Sequence, residues 1–222
     1  LQLAETFDRR FQSSFEGHNT TAYAELYDEA LKVMNSRDLA AFDTRLEPDS
    51  VREEYGEGRF ARGCLLARRL IEHDLRFVEV VSGGWDTHND NFEQVRTKAG
   101  ELDQALSALL RDLRRRGLLD ETLVVVATEF GRSPKITATE GRDHHPKAFS
   151  FVLAGGGVTG GTTHGITDDR GNAVLEGRTT VPDFNATIAY ALGLNTEQVV
   201  HSPTGRPFTV AAKGRPLSHL FA

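Results

Sequence analysis

The sequence predicts an α/β domain on a mostly parallel sheet, preceded by a helical N-terminal extension. Three observations predict it. Arg76–Val81 and Thr122–Thr128 read as strands, the second a continuous apolar run that suits burial on both faces. Between them, apolar residues at Phe92, Val95, Ala99, Leu102, Leu106, Leu109 and Leu113 keep to one face of a helix. A third apolar run, Phe149–Ala154, follows a long loop. Strand, helix, strand is a βαβ unit, expected to have a right-handed crossover and parallel strands.

The elements follow in order. The first fifty residues read as helical and polar, with Ala22, Leu26, Ala30 and Val33 on one stripe. Pro48-Asp49-Ser50 stops that segment and starts a new one, which divides the chain into an extension, 1–50, and a domain, 51–222. A helix is expected over Arg59–His73, with Ala61, Cys64, Leu65 and Ile71 inward and Arg62, Arg68 and Arg69 solvated. Arg76–Val81 ends at Ser82-Gly83-Gly84. The long helix closes at Arg114-Arg115-Arg116-Gly117, cations suiting the negative helix end and glycine the left-handed stop. Phe149–Ala154 is expected antiparallel to Thr122–Thr128. A short helix, Asp183–Leu192, stops at Gly193, and strands and loops with Pro203, Pro207 and Pro216 close the domain.

Composition narrows the function. The 222 residues carry 26 Lys plus Arg against 32 Asp plus Glu, a net charge of −6, which argues against a general nucleic-acid binder. No apolar run approaches the roughly 20 residues that span a bilayer. The single Cys64 excludes an intrachain disulfide framework. Leu1–Phe15 carries Glu5, Asp8, Arg9 and Arg10 where a secretory signal would be apolar, and residue 1 is not Met, so a fragment or processed form is expected.

Polar residues gather just past strand ends, where open α/β sheets bind ligands. Trp85-Asp86-Thr87-His88-Asn89-Asp90-Asn91 follows the first strand, and Glu129-Phe130-Gly131-Arg132 the second. Gly141-Arg142-Asp143-His144-His145-Pro146 precedes the third. Carboxylate oxygen plus imidazole nitrogen suits zinc, manganese or iron, and an oxygen-richer set suits calcium or magnesium. A second reading stays open: Asp86 and Asn89–Asn91 cap the long helix that begins there, and Glu129 is the solvated end of a strand.

These blocks resemble a known family. Gly83–His88, Glu129–Arg132 and Gly141–Phe149, followed in order by Ala154–Gly157 and Val181–Asp183, are similar to the signature blocks of the bacterial domain of unknown function fifteen-oh-one, over roughly residues 50 to 222. That family is similar to the alkaline-phosphatase-like superfamily of phosphatases, sulfatases and phosphomutases. The resemblance implies a three-layer α/β/α fold, mostly parallel with one antiparallel strand, and an exported protein, periplasmic or secreted. It also implies a two-metal site. One metal is held by an Asp, a His four residues on and a distant His. The other is held by an Asp-His pair with an Asp and a nucleophile further upstream. Asp86 matches the first Asp and His144 the distant His. Asp90 stands four residues after Asp86, with His88 between. Glu129 matches the Asp of the pair, but Phe130 replaces its His. The remaining Asp and the nucleophile would lie upstream of Leu1.

The candidate metal ligands are therefore Asp86, His88, Asp90, Glu129 and His144, holding one divalent ion: zinc, calcium, magnesium or manganese. Arg132 and His145 are the candidate catalytic groups, Arg132 as a fork for an anionic oxygen. A small-molecule or glycan phosphate or sulfate ester is the expected substrate, turned over by a metal-dependent hydrolase. A non-catalytic descendant is the rival, fed by Phe130.

Three further motifs are set aside. Cys64 and Arg68 have the spacing of the sulfatase formylglycine signature, but they lie inside an expected helix, where a buried Cys is structural. Gly155-Gly156-Gly157-Val158-Thr159-Gly160 matches G-x-G-x-x-G, yet no helix opens after it. Asp168–Asn172 lacks the twelfth-position Glu of a calcium loop and reads as a hairpin turn.

Overall fold

The computed structural model describes residues 18–34 and 36–222, apart from the side chains of residues 18–24, 33, 37 and 38. The charged opening stretch Leu1–Phe15 lies outside the described residues. The described helices are α1 (His18–Met34), α2 (Asp49–Tyr55), α3 (Gly58–Glu72), α4 (Asn91–Arg115) and α5 (Val181–Ala191). The strands are β1 (Val124–Val126), β2 (Gly131–Ile136), β3 (Arg142–His145), β4 (Val152–Ala154), β5 (Ile166–Thr167), β6 (Val174–Glu176), β7 (Val199–His201) and β8 (Pro207–Thr209). They pair as β1–β4, β2–β3, β5–β6 and β7–β8, each pair antiparallel.

The expected three-layer, mostly parallel sheet is thus corrected: the described residues form a mixed α/β chain with five α-helices, small two-stranded antiparallel sheets and no parallel pair. The first strand of the expected βαβ unit is missing. Residues 76–81 form no ladder. Val80 packs against the helical core, but Phe77 and Val81 are 75% and 76% exposed. Strand propensity reports a fit to a pleated, half-buried surface, and here no neighbouring strand supplies that surface. The apolar run at Thr122–Thr128 shrinks to the three residues of β1, whose only partner among the described residues, β4, is equally short. That pairing is antiparallel, the expected direction, with Val124 opposite Ala154 and Val126 opposite Val152.

The core is helical. Tyr55 of α2, Ala61, Cys64 and Leu65 of α3, and Ala105, Ala108, Leu109 and Leu113 of α4 form one buried cluster. Each fully buried Leu contributes about 1.5–3 kcal/mol relative to exposure. Burial also holds the Cys64 thiol up at about 11, as an inert core residue. The buried apolar residues of α4 all lie in its C-terminal half, and only Asn91 is buried in its first turns. Phe92 is 52% exposed and Ala99 is exposed, so the apolar face of the first turns lies outside the helical core. On α1, Leu26 and Ala30 of the expected stripe are exposed, and the side chains of Ala22 and Val33 lie outside the described residues.

Helix ends obey local chemistry. Past α4, Gly117 takes φ 72° and the Leu118 amide donates to the Leu113 carbonyl at 2.9 Å, closing the helix at the expected glycine. Thr180 and Asp183 form a reciprocal capping box at the start of α5, and Gly193 at φ 70° follows its end. Gly155, Gly156 and Gly157 all have positive φ in a turn, and Asp168 accepts the amides of Arg170 and Asn172 in the β5–β6 hairpin loop.

A second correction concerns Arg68 and Arg69, expected in solvent. The Arg68 side chain is fully buried. It lies 2.8 Å from Glu47 and 2.8 Å from Asp112 as ion pairs, and 2.5 Å from Glu72. Arg69 donates to the Ala41 carbonyl at 2.8 Å and pairs with Glu47. Arg116 pairs with Glu72 and with Asp112, the latter at 2.9 Å. Three arginines thus face three carboxylates among α3, α4 and the turns at 37–47. The helical pattern placed these arginines off the apolar stripe. It carried no sign that acidic partners from Glu47 and Asp112 would close over them. Among the described residues no helix is long and apolar enough to cross a membrane.

Candidate metal centre

The site is assembled by backbone. The segment 86–91 enters the first turn of α4 and is stitched to the β2–β3 hairpin. The amides of Asp90 and Asn91 donate to the carbonyls of Thr139 and Glu140 at 3.0 and 2.9 Å, and that of Arg142 donates to Thr87 at 3.0 Å. Thr139 Oγ1 donates to the His88 carbonyl at 3.0 Å. Buried Thr87 donates to Asn91 Oδ1 at 2.6 Å and anchors the loop from below. Two glycines permit this approach: a Cβ on Gly141 would overlap the His88 carbonyl, and one on Gly131 the Ala148 carbonyl. Arg132 lies opposite His144 in the hairpin, which has a bulge further along.

Asp86, His88 and His144 converge. Asp86 Oδ1 lies 3.0 Å from His88 Nε2 and 3.0 Å from His144 Nε2, and the two imidazole nitrogens are 3.2 Å apart. Two ligands held about 2.0–2.1 Å from a tetrahedral zinc would stand about 3.3 Å apart. The donor set therefore fits a divalent metal with three protein ligands. Their side chains are 64%, 42% and 47% exposed, so further ligand positions face solvent. Hydrogen bonds from His144 and then Arg132, with the charge of His88 beside it, hold the Asp86 carboxyl down at about 2. Asp86 is thus ionised at ordinary pH, the form a metal requires.

One aromatic and two charged neighbours complete the surroundings. Arg132 Nη2 reaches the same Asp86 oxygen at 2.6 Å, while its guanidinium sits 5.7 Å from the Phe130 ring centre. Phe130 packs on His144 with ring centres 4.2 Å apart. Asp143 Oδ1 lies 3.3 Å from His88 Nδ1, in the manner of a carboxylate that orients a metal-binding imidazole. The sequence reading did not single out Asp143; the signal was its place directly before His144.

The other candidates lie differently. Asp90 sits at the N-cap of α4 in a left-handed conformation and makes no side-chain cap bond. Glu129 is exposed and does not join the three residues whose ligand atoms lie within 4.8 Å of one another. His145 follows His144 on β3, and successive strand residues face opposite ways. Its Nε2 is buried with no hydrogen-bond partner.

Fold and site together define a mixed α/β chain carrying an exposed aspartate–histidine centre suited to a divalent metal. The chain belongs to the family described as Protein of unknown function (DUF1501), whose model it matches over residues 1–221. No curated protein and no solved structure matches it.

Proposed function

We propose that this chain is part of a metal-dependent hydrolase of a phosphate or sulfate ester, with a small-molecule or glycan substrate and a periplasmic or secreted location. The observation that carries the reading is the convergence of Asp86, His88 and His144 beside Arg132. A divalent ion bound there would polarise an ester oxygen and lower the pKa of a bound water. Asp86, His88 and His144 would hold it, and Asp143 would keep the His88 ring in place. Arg132, already poised over Asp86, would fork onto an anionic ester oxygen once Asp86 engages the ion. The kinship to phosphatases and sulfatases is proposed at the level of this site alone.

A second reading has its own observation. Phe130, stacked on His144, stands where the superfamily pattern has an imidazole for a second metal. A non-catalytic descendant would keep one ion for binding or structure. Metal analysis of the full-length protein, with turnover of aryl phosphates and aryl sulfates, separates the two. The hydrolase predicts one equivalent at this centre and metal-dependent turnover that Asp86→Ala abolishes. Metal uptake without turnover selects the binding reading. Uptake that Asp86→Ala and His144→Ala leave unchanged would sink both.

A further inference from the structure

Outside this centre, the chain brings two more imidazoles face to face. His164 lies in the loop before β5, and His219 in the turn Ser218–Leu220 that ends the chain. His164 Nδ1 and His219 Nε2 are 3.1 Å apart, with ring centres at 4.9 Å. We propose that His164 and His219 form a second, separate metal site, selective for borderline divalent ions such as zinc or copper, which clips the closing turn to the loop before β5.

Geometry and surroundings support the site. A separation of 3.1 Å is close to the edge of about 3.3 Å expected between two nitrogens on a tetrahedral zinc. The backbone brings the two segments together independently of the rings. Thr159 donates its amide to the Leu220 carbonyl at 2.8 Å, Ala222 to Gly157 at 3.0 Å, and Val158 and Phe221 form a β-bridge. An ion would thus meet a preformed pair and order little chain. On the other side of the His164 ring, Gly177 approaches so closely that a Cβ there would lie 3.2 Å from Nε2. That Nε2 is buried with no hydrogen-bond partner, so no polar contact on that side explains the ring's placement. His219 is exposed, which gives an ion a path in. Among the described residues no carboxylate or thiolate joins the pair to make a third protein ligand. Two imidazoles without a carboxylate favour zinc, nickel or copper over magnesium, calcium or manganese. Solvent would supply the remaining ligands.

The alternative for two facing neutral imidazoles is a plain N–H···N hydrogen bond. Equilibrium dialysis of the full chain carrying Asp86→Ala and His144→Ala removes the first centre from the count. The proposal predicts that this chain still takes up one equivalent of Zn²⁺ and no Mg²⁺. Adding His219→Ala or, as a milder variant, His219→Gln should abolish that uptake while the far-UV circular dichroism stays unchanged. With Cu²⁺ as probe, electron paramagnetic resonance should show coupling to two imidazole nitrogens, a signal that His219→Gln should remove. Absence of Zn²⁺ uptake, or uptake indifferent to His219, would overturn the proposal and leave the hydrogen bond.

Discussion

Two clusters of ionisable residues make an instructive pair. Around Arg68, three arginines and three carboxylates are drawn together under α3 and α4, and the central guanidinium has no solvent contact. Around Asp86, one carboxylate oxygen collects two imidazoles and a guanidinium at a largely exposed surface. The first cluster is closed: charges balance, and leaving any one unpaired would cost its desolvation. The second is open. Its nitrogen and oxygen ligand atoms crowd one point and can turn to an ion with little rearrangement. Similar chemical groups thus hold the fold together in one place and stay open to solvent in the other, according to burial.

The comparison can be tested by stability. Arg68→Ala should have the largest effect, about 3–5 kcal/mol in urea unfolding, because three carboxylates would then share two arginines, with Glu47 and Asp112 still buried. A loss below about 1 kcal/mol would mean the cluster behaves like a surface network.

Acid should act next, through Glu47. Burial pushes its carboxyl up, but hydrogen bonds from Arg68 and Arg69 outweigh it and hold the pKa below the ordinary 4.5. A carboxyl lowered in the folded state contributes stability that is complete above its unfolded pKa and is lost as pH falls through the folded value. Unfolding midpoints should therefore drop below about pH 4.5. Glu47→Gln should be less stable at neutral pH and show a shallower acid limb. An unchanged limb would assign the loss to other carboxylates.

Asp86→Ala should have the smallest effect on stability. The metal-free protein should keep its unfolding midpoint, because this carboxylate is exposed and its partners can turn to water. Isothermal titration should nevertheless show metal binding lost from this centre. A large fall in the midpoint would place Asp86 among the structural charges.

Much of the local structure was legible in the residues. The limits of α3, α4 and α5 lie within two residues of those expected from apolar spacing and the stops at Gly117 and Gly193, while the Thr180 cap, which starts α5 at Val181 instead of Asp183, was not read. Those signals act within one or two helical turns, so neighbouring residues suffice. The three polar blocks containing Asp86, Arg132 and His144 were also visible. The family resemblance matched Asp86, Glu129 and His144 to ligand positions, and of these the structure brings Asp86 and His144 together.

Tertiary structure decided what depends on distant partners. Phe77 and Val81 have strand chemistry, yet a strand exists only where another strand meets its amides, and among the described residues none does so at 76–81. Arg68 looks like a solvated helix residue until Glu47 and Asp112 close over it. Asp86, His88 and His144 meet while Glu129 stays apart, because Gly141 lets the hairpin lie directly on the His88 carbonyl. Sequence by itself determined, to within two residues, where α3, α4 and α5 begin and end, and which residue types could carry chemistry. Long-range packing determined which of them are buried, paired or brought together, since that free energy depends on groups far away along the chain.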